Sequence, residues 1–162
     1  MNARELRETL TFLGQTPQRV AALVAGYSES ELRRRPAPDS FSALEQACHL
    51  RDIERDGYLR RVSRMLAEAD PQFEDLDGAK LAIERDYHSQ SLVDALAAFG
   101  DARRESVRIL QNAGDAGLAR TGHFRGSAPI TLADLADMMR SHDSEHLKEL
   151  AELRARSAPG ER

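Results

Sequence analysis

The sequence predicts an all-α protein, a four-helix bundle with a long crossover between its second and third helices, and three observations carry that reading. Ala, Leu, Arg and Glu dominate the 162 residues, aromatics make up 5%, and tryptophan is absent; such side chains lose little rotamer freedom in a helix. Four stretches place apolar residues at alternating spacings of three and four, the signature of one buried helix face. Turn formers and helix caps separate those stretches, and runs of β-branched residues do not occur.

The first helix follows the seam Leu6, Leu10, Leu13, Pro17, Val20, Val24 and Tyr27. Pro17 has no backbone donor, so a kink is expected between Gly14 and Pro17. Gly26 and Ser28 end this helix, and the segment after Ser28 makes a short turn before Pro36 and Pro38. The second helix begins between Ser40 and Ser42, where Ser42 and Glu45 have the spacing of a capping box. It continues through Leu44, His49, Ile53, Leu59 and Val62 to about Glu68, and Asp70-Pro71 closes it. Residues 70–90 form the crossover, with one or two helical turns from Gly78. Leu92, Leu96, Phe99, Ser106 and Leu110 mark the third helix, which stops between Asn112 and Gly114. The glycine-rich stretch after Gly114 reads as irregular, and it is long for an idle loop. The fourth helix opens at Thr131 and carries Leu132, Leu135, Met139, His142, His146, Leu150 and Leu153. These elements make a single domain over residues 1–157, with 158–162 expected as a disordered tail.

Composition narrows the function. At 41% hydrophobic residues the chain can bury a core. Its 23 basic and 27 acidic residues give a net charge of -4, which disfavours a nucleic-acid partner held by phosphate neutralisation. No apolar run approaches the roughly 20 residues that span a bilayer, and the charged start does not resemble a signal peptide. The lone Cys48 excludes an intramolecular disulfide framework. The expected location is the cytoplasm.

His142 and His146 stand four apart on the fourth helix, so their rings share a face one turn apart. They continue the apolar stripe of Leu132, Leu135 and Met139. A buried ring nitrogen without a partner costs about 1–3 kcal/mol, and a shared cation satisfies two rings at once. His49, beside Leu50 and Ile53 on the second helix, is the natural third ligand. Three histidines leave coordination positions open, as in a catalytic rather than a structural zinc site. His88 and His123 read as loop residues, although His123 could line the site. Two alternatives fail. The segment from His142 to His146 has Asp where zincin proteases have Glu, and no later histidine follows. A ferritin-like di-iron site needs two Glu-x-x-His motifs, whereas Glu45 stands four before His49.

The pattern Pro36-x-Pro38-x-x-Phe41-Ser42-Ala43-x-Glu45, then His49-Leu50-x-Asp52-x-Glu54, and later His142-Asp143-x-x-His146-Leu147 resembles the DinB-like (damage-inducible, YfiT-type) superfamily. The resemblance extends over nearly the whole chain, including Pro17, Arg103, Gly126 and Thr131-Leu132. It implies a four-helix bundle, frequent homodimers, and a divalent metal, often zinc or nickel, on His49, His142 and His146. The resemblance does not settle the reaction: some relatives transfer a low-molecular-weight thiol such as bacillithiol or mycothiol to an electrophile or use one in isomerisation, whereas many have no assigned activity. Phe41 departs from the tryptophan usual in relatives, a change expected to matter for packing more than for metal chemistry.

The functional expectation is therefore a metal-dependent thiol S-transferase acting on electrophilic small molecules, with a non-catalytic metal-binding or stress-related protein, or a helical interaction module without metal, as alternatives. The electrophile is expected to enter between the bundle end and the loop 117–130. Asp52 and Asp143 read as solvated helix carboxylates or as groups orienting a ring N–H. Arg60, Arg61 and Arg103 read as surface ion pairs or as contacts to a substrate carboxylate. Cys48 lies about 100° around the helix from His49 and reads as core.

Overall fold

The computed structural model describes residues 1–157, so the expected tail at 158–162 lies outside the described residues. Helix α1 (Ala3–Val24) starts on a capping box: Asn2 Oδ1 accepts from the Arg4 and Glu5 backbone N–H groups, both at 3.0 Å, and Glu5 caps the Asn2 N–H. Pro17 sits inside this helix without ending it. Its missing N–H orphans the carbonyl of Leu13, four residues earlier, and Arg103 Nη1 from another helix donates to that oxygen at 3.1 Å. Gly26 (φ 77) then takes the left-handed conformation that turns the chain out of the helix, and α2 (Glu29–Leu32) is a single turn capped by Ser28.

The expected second helix is one continuous rod of three parts: α3 (Ala43–Asp52), a π-helical segment (Ile53–Tyr58) and α4 (Leu59–Ala67). The Ser42–Glu45 capping box forms as the sequence implies, with Ser42 N–H on Glu45 Oε2 at 2.8 Å and Glu45 N–H on Ser42 Oγ at 3.2 Å. Every residue of α3 is buried, so this helix is surrounded by the rest of the protein. The crossover holds strand β1 (Gln72–Phe73), helix α5 (Gly78–Glu84) and a 3₁₀ turn (Tyr87–Ser89). Helix α6 (Leu92–Asn112) is the third bundle helix and α8 (Leu132–Ser157) the fourth. Helix α1 packs on α6 and α8, and α3 packs on α6 and α8.

The glycine-rich stretch is more ordered than the sequence suggests. It forms α7 (Gly114–Leu118), then strands β2 (Thr121–Phe124) and β3 (Ile130–Thr131). Strand β2 runs parallel to β1, with His123 opposite Gln72, and antiparallel to β3, with Thr121 opposite Thr131. This small sheet ties the crossover to the start of α8, and Gly122 is required in it: a Cβ there would lie 2.8 Å from the Phe73 ring.

The core has two apolar regions. One gathers Val20, Val24, Leu44, Leu50, Phe99 and Leu150; the other gathers Leu10, Leu13, Val62, Met65, Leu110, Leu132, Leu135 and Met139. On each bundle helix a short polar stretch separates them: Thr16 on α1, Asp52 and Glu54 on the second rod, Arg103 and Ser106 on α6, and Asp143 on α8 are all buried. A polar layer thus crosses the middle of the bundle, and the histidines sit in it. Replacing Gly122 by Ala should destabilise the fold by about 1–3 kcal/mol, the usual cost of overpacking, read as a lowered midpoint in urea; an unchanged midpoint would mean that Phe73 moves aside freely.

Candidate metal centre

His49 from α3 and His142 and His146 from α8 turn their rings to one point. The three residues offer ligand atoms that all lie within 4.8 Å of one another. His142 Nε2 is 3.2 Å from His49 Nε2 and 3.2 Å from His146 Nε2. An sp² ring nitrogen has a single in-plane site, either an N–H or a lone pair, so His142 Nε2 can serve one of these neighbours but not both. A cation removes the conflict by accepting every lone pair. The spacing suits one: zinc–nitrogen bonds of ~2.0–2.1 Å at a tetrahedral angle put nitrogens about 3.3–3.4 Å apart. The structure therefore brings together all three predicted residues, and the donor set fits a divalent cation.

For His146 the surrounding groups set which nitrogen faces inward, whereas Nδ1 of His49 and of His142 is buried without a hydrogen-bond partner among the described residues. His146 Nδ1 lies against Gln46 Oε1 and, at 3.0 Å, Glu149 Oε2. Gln46 Nε2 donates to the same Glu149 oxygen at 2.6 Å, which orients its amide. Both neighbours of Nδ1 are acceptors, so Nδ1 carries the proton and Nε2 keeps its lone pair for the centre. Burial, with the two neighbouring imidazoles, pushes His49 down to about 3, which leaves it neutral and able to ligate at ordinary pH. Burial and His142 likewise lower His146, against the opposing pull of Glu149. The His49 ring is wedged in place: Phe41 packs against it at 5.3 Å between centroids, and a Cβ on Gly78 would lie 2.5 Å from its Cε1. The packing role expected of Phe41 thus falls on a ring of the triad itself. Tyr58, carried round by the π segment, meets His142 edge-on at 5.8 Å.

Behind the triad lies a buried ionic cluster. Arg103, 1% exposed, donates from Nη2 to Glu54 Oε2 at 2.8 Å and to Asp143 Oδ1 at 3.1 Å, and its Nη1 also reaches Asp143 Oδ2. Ser106 Oγ donates to Glu54 Oε1. Burial alone would raise the Asp143 carboxyl, but the His142 ring and the Arg103 guanidinium hold it below the usual range. Asp143 is thus buried and paired with Arg103 rather than solvated, and His142 Nδ1 stands 3.9 Å from its Oδ1. Asp52 departs from its expectation in the same way. It is fully buried, accepting from Arg51 Nε at 2.7 Å and Tyr87 Oη at 2.8 Å; burial would raise it, and those bonds with Arg85 keep it low.

The other candidates fall away from the centre. Arg60 is exposed beside Asp56, and Arg61 is buried, donating to the Glu74 carbonyl at 2.9 Å under the Phe124 ring. Neither they nor Arg103 lines the cavity at the triad. His88 lies in the 3₁₀ turn, and His123 on β2 faces Asp70 at 3.5 Å. Cys48 is fully buried, and burial pushes its thiol up to about 11, so it is no nucleophile. A cavity of about 440 Å³ reaches His146, walled by Ser40, Phe41, Gln46, Ala79, Glu149 and Glu152 among others. No residue of 117–130 lines it; its wall comes from the loop before α3, the start of α5 and the last turns of α8. Sequence reasoning gave no role to Gln46 or Glu149, although each stands three residues from a triad histidine on the same helix face.

A sequence profile of the DinB superfamily matches residues 13–150. The chain belongs to the DinB superfamily. No curated protein matches it. Among solved structures it is similar to YfiT from Bacillus subtilis, at 18% identity and a TM-score of 0.89, over 96% of this chain and 89% of that one. That protein is described as a probable metal-dependent hydrolase with an unusual four-helix bundle topology, and the likeness establishes the same fold for this DinB-superfamily chain. No helix among the described residues is long and apolar enough to cross a membrane.

Two substitutions probe the centre. Gly78→Ala should push the His49 ring aside and weaken zinc binding about tenfold or more, with helix content unchanged by circular dichroism; undiminished affinity would show that the ring does not depend on that contact. Arg103→Met leaves Glu54 and Asp143 buried without their cation and should cost about 3–5 kcal/mol of unfolding free energy, against a near-neutral result if water replaces the guanidinium.

Proposed function

We propose that this protein is a metal-dependent transferase that joins a small-molecule thiol to an electrophilic small molecule, with zinc or nickel held by His49, His142 and His146. The observation that carries this reading is the open side of the triad. Three donors converge, His146 forms part of the wall of a cavity large enough for a small substrate, and the group of metal-capable side chains found there comprises only these three histidines among the described residues. A site that served only to fasten helices would favour a closed, four-ligand shell.

A divalent cation at this point supplies a Lewis acid that favours the thiolate form of a bound thiol at neutral pH. The chain's own groups do the rest. Glu149 Oε2 is engaged with His146 and Gln46, and its Oε1 is the base we assign for the thiol proton. Phe41 and Ala79 give the cavity apolar wall next to the polar centre, a surface for the carbon skeleton of a small substrate. The sulfur then forms its carbon–sulfur bond as the electrophile's leaving group departs with the bonding pair.

The description of YfiT as a probable metal-dependent hydrolase supports a second reading, in which water replaces the thiol as nucleophile. One assay separates them. With monobromobimane as electrophile and a panel of thiols, the zinc- or nickel-loaded protein should accelerate bimane–thiol formation. Chelator should abolish the effect, and Glu149→Gln should lower kcat by about a hundredfold, as for loss of a general base. Acceleration of ester hydrolysis without any thiol, and none of thiol transfer, would replace this reading with the hydrolase.

A further inference from the structure

A second cavity, of about 230 Å³, adjoins the first: Pro36, Leu153 and Arg156 line both. The two differ in charge. The wall near His146 carries Asp39, Glu149 and Glu152 against Arg156 alone. The second cavity carries Arg34, Arg35 and Arg156 against Glu31 alone. Two of those four charges are already engaged. Glu31 Oε2 takes the Ser28 N–H at 2.8 Å and the Ser28 hydroxyl at 2.7 Å, and Arg35 Nε is bound by both oxygens of Glu45, at 2.9 and 3.1 Å.

Arg34 and Arg156 are exposed and make no ion pair among the described residues, although Glu31, its carboxyl lowered mainly by Ser28, also feels the Arg34 charge. Tyr27 also lines this cavity, and its Oη is buried with no hydrogen-bond partner among the described residues, so an acceptor there would satisfy it. Arg154 lies over the Tyr27 ring at 5.1 Å and spends one N–H on the Ala25 carbonyl, so it adds positive charge here without adding an acceptor. Two guanidiniums without an ion pair among the described residues, together with a phenol O–H, face one concavity and match the oxygens of a carboxylate or phosphate.

We propose that this second cavity binds the anionic end, a carboxylate or a phosphate, of the small molecule whose reactive group reaches the histidine centre through the first cavity. The link to the reactive group rests on the transferase reading; the anion subsite itself does not, because none of its residues belongs to the triad. The substrate class is then an extended anionic compound, held at the tail by Arg34, Arg156 and Tyr27.

The test uses the full chain in two parts. Succinate, inorganic phosphate and neutral succinamide are titrated into chelator-treated protein and followed by amide chemical shifts. One or both anions should shift Tyr27, Arg34 and Arg156 saturably, with succinamide inert, and the tighter anion names the class. The double variant Arg34→Ala/Arg156→Ala should bind about tenfold more weakly, the equivalent of one charge-assisted hydrogen bond, with zinc uptake unchanged. If neither anion shifts these amides below about 20 mM, a concentration at which binding is already weak, or the double variant binds equally well, the subsite is overturned. In the transfer assay, Arg34→Ala, which lies outside the cavity at His146, should raise KM for glutathione with kcat unchanged and leave KM for 2-mercaptoethanol alone; equal effects on both thiols would break the link while leaving the anion site. A protein that takes up no metal yet binds the anions defeats the transferase reading and not the subsite.

Discussion

A ring nitrogen has one direction in which to bond, and His142 Nε2 is asked to face two others at 3.2 Å each. That conflict has one economical answer, a positive ion shared by all three rings, and much of the bundle's middle layer is arranged around it. Burial and the two neighbouring imidazoles keep the His49 ring neutral, and burial with His142 lowers His146. Their orientation comes from neighbours: the Gln46–Glu149 pair sets the His146 tautomer, while Phe41 and the bare backbone at Gly78 hold the His49 ring.

The layer also carries charge. One guanidinium, Arg103, faces two buried carboxylates, Glu54 and Asp143, so with both ionised the cluster is one negative charge in excess beside the place where a cation would sit. Burying such a cluster is a poor route to stability compared with apolar packing. Its value is positional. Arg103 on α6 bonds the π segment through Glu54, α8 through Asp143, and α1 through the Leu13 carbonyl that Pro17 leaves free. All four bundle helices therefore meet at one side chain, and their relative heights, on which the meeting of His49 with His142 and His146 depends, are fixed there.

Much of this was legible in the residues. The four-residue spacing of His142 and His146 within an apolar stripe forced two rings into the core, and Ser42–Glu45, Pro17 and Gly26 marked helix features by local rules that hold wherever the chain goes. What stayed hidden depends on distant partners. Arg103 reads as a surface residue until Glu54 and Asp143, some fifty residues before it and forty after, are known to face it. Asp52 reads as a solvated carboxylate or a ring-orienting group for the same reason, since Tyr87 and Arg85, which bind it, arrive from the crossover. The strands of the glycine-rich stretch are two to four residues long, too short to show periodicity, and pair with β1 across the sequence. The cavity walls combine the loop before α3 with the end of α8, a juxtaposition only the folded chain displays.

The centre stands or falls on ion counting. Chelator-treated protein is dialysed against zinc or nickel, and bound metal is measured per chain for the wild type and for His49→Ala. The account predicts one ion per chain for the wild type and roughly a hundredfold weaker binding for the variant, which loses a directly ligating ring. A wild type that takes up no ion, or a variant that holds one equally well, would contradict it.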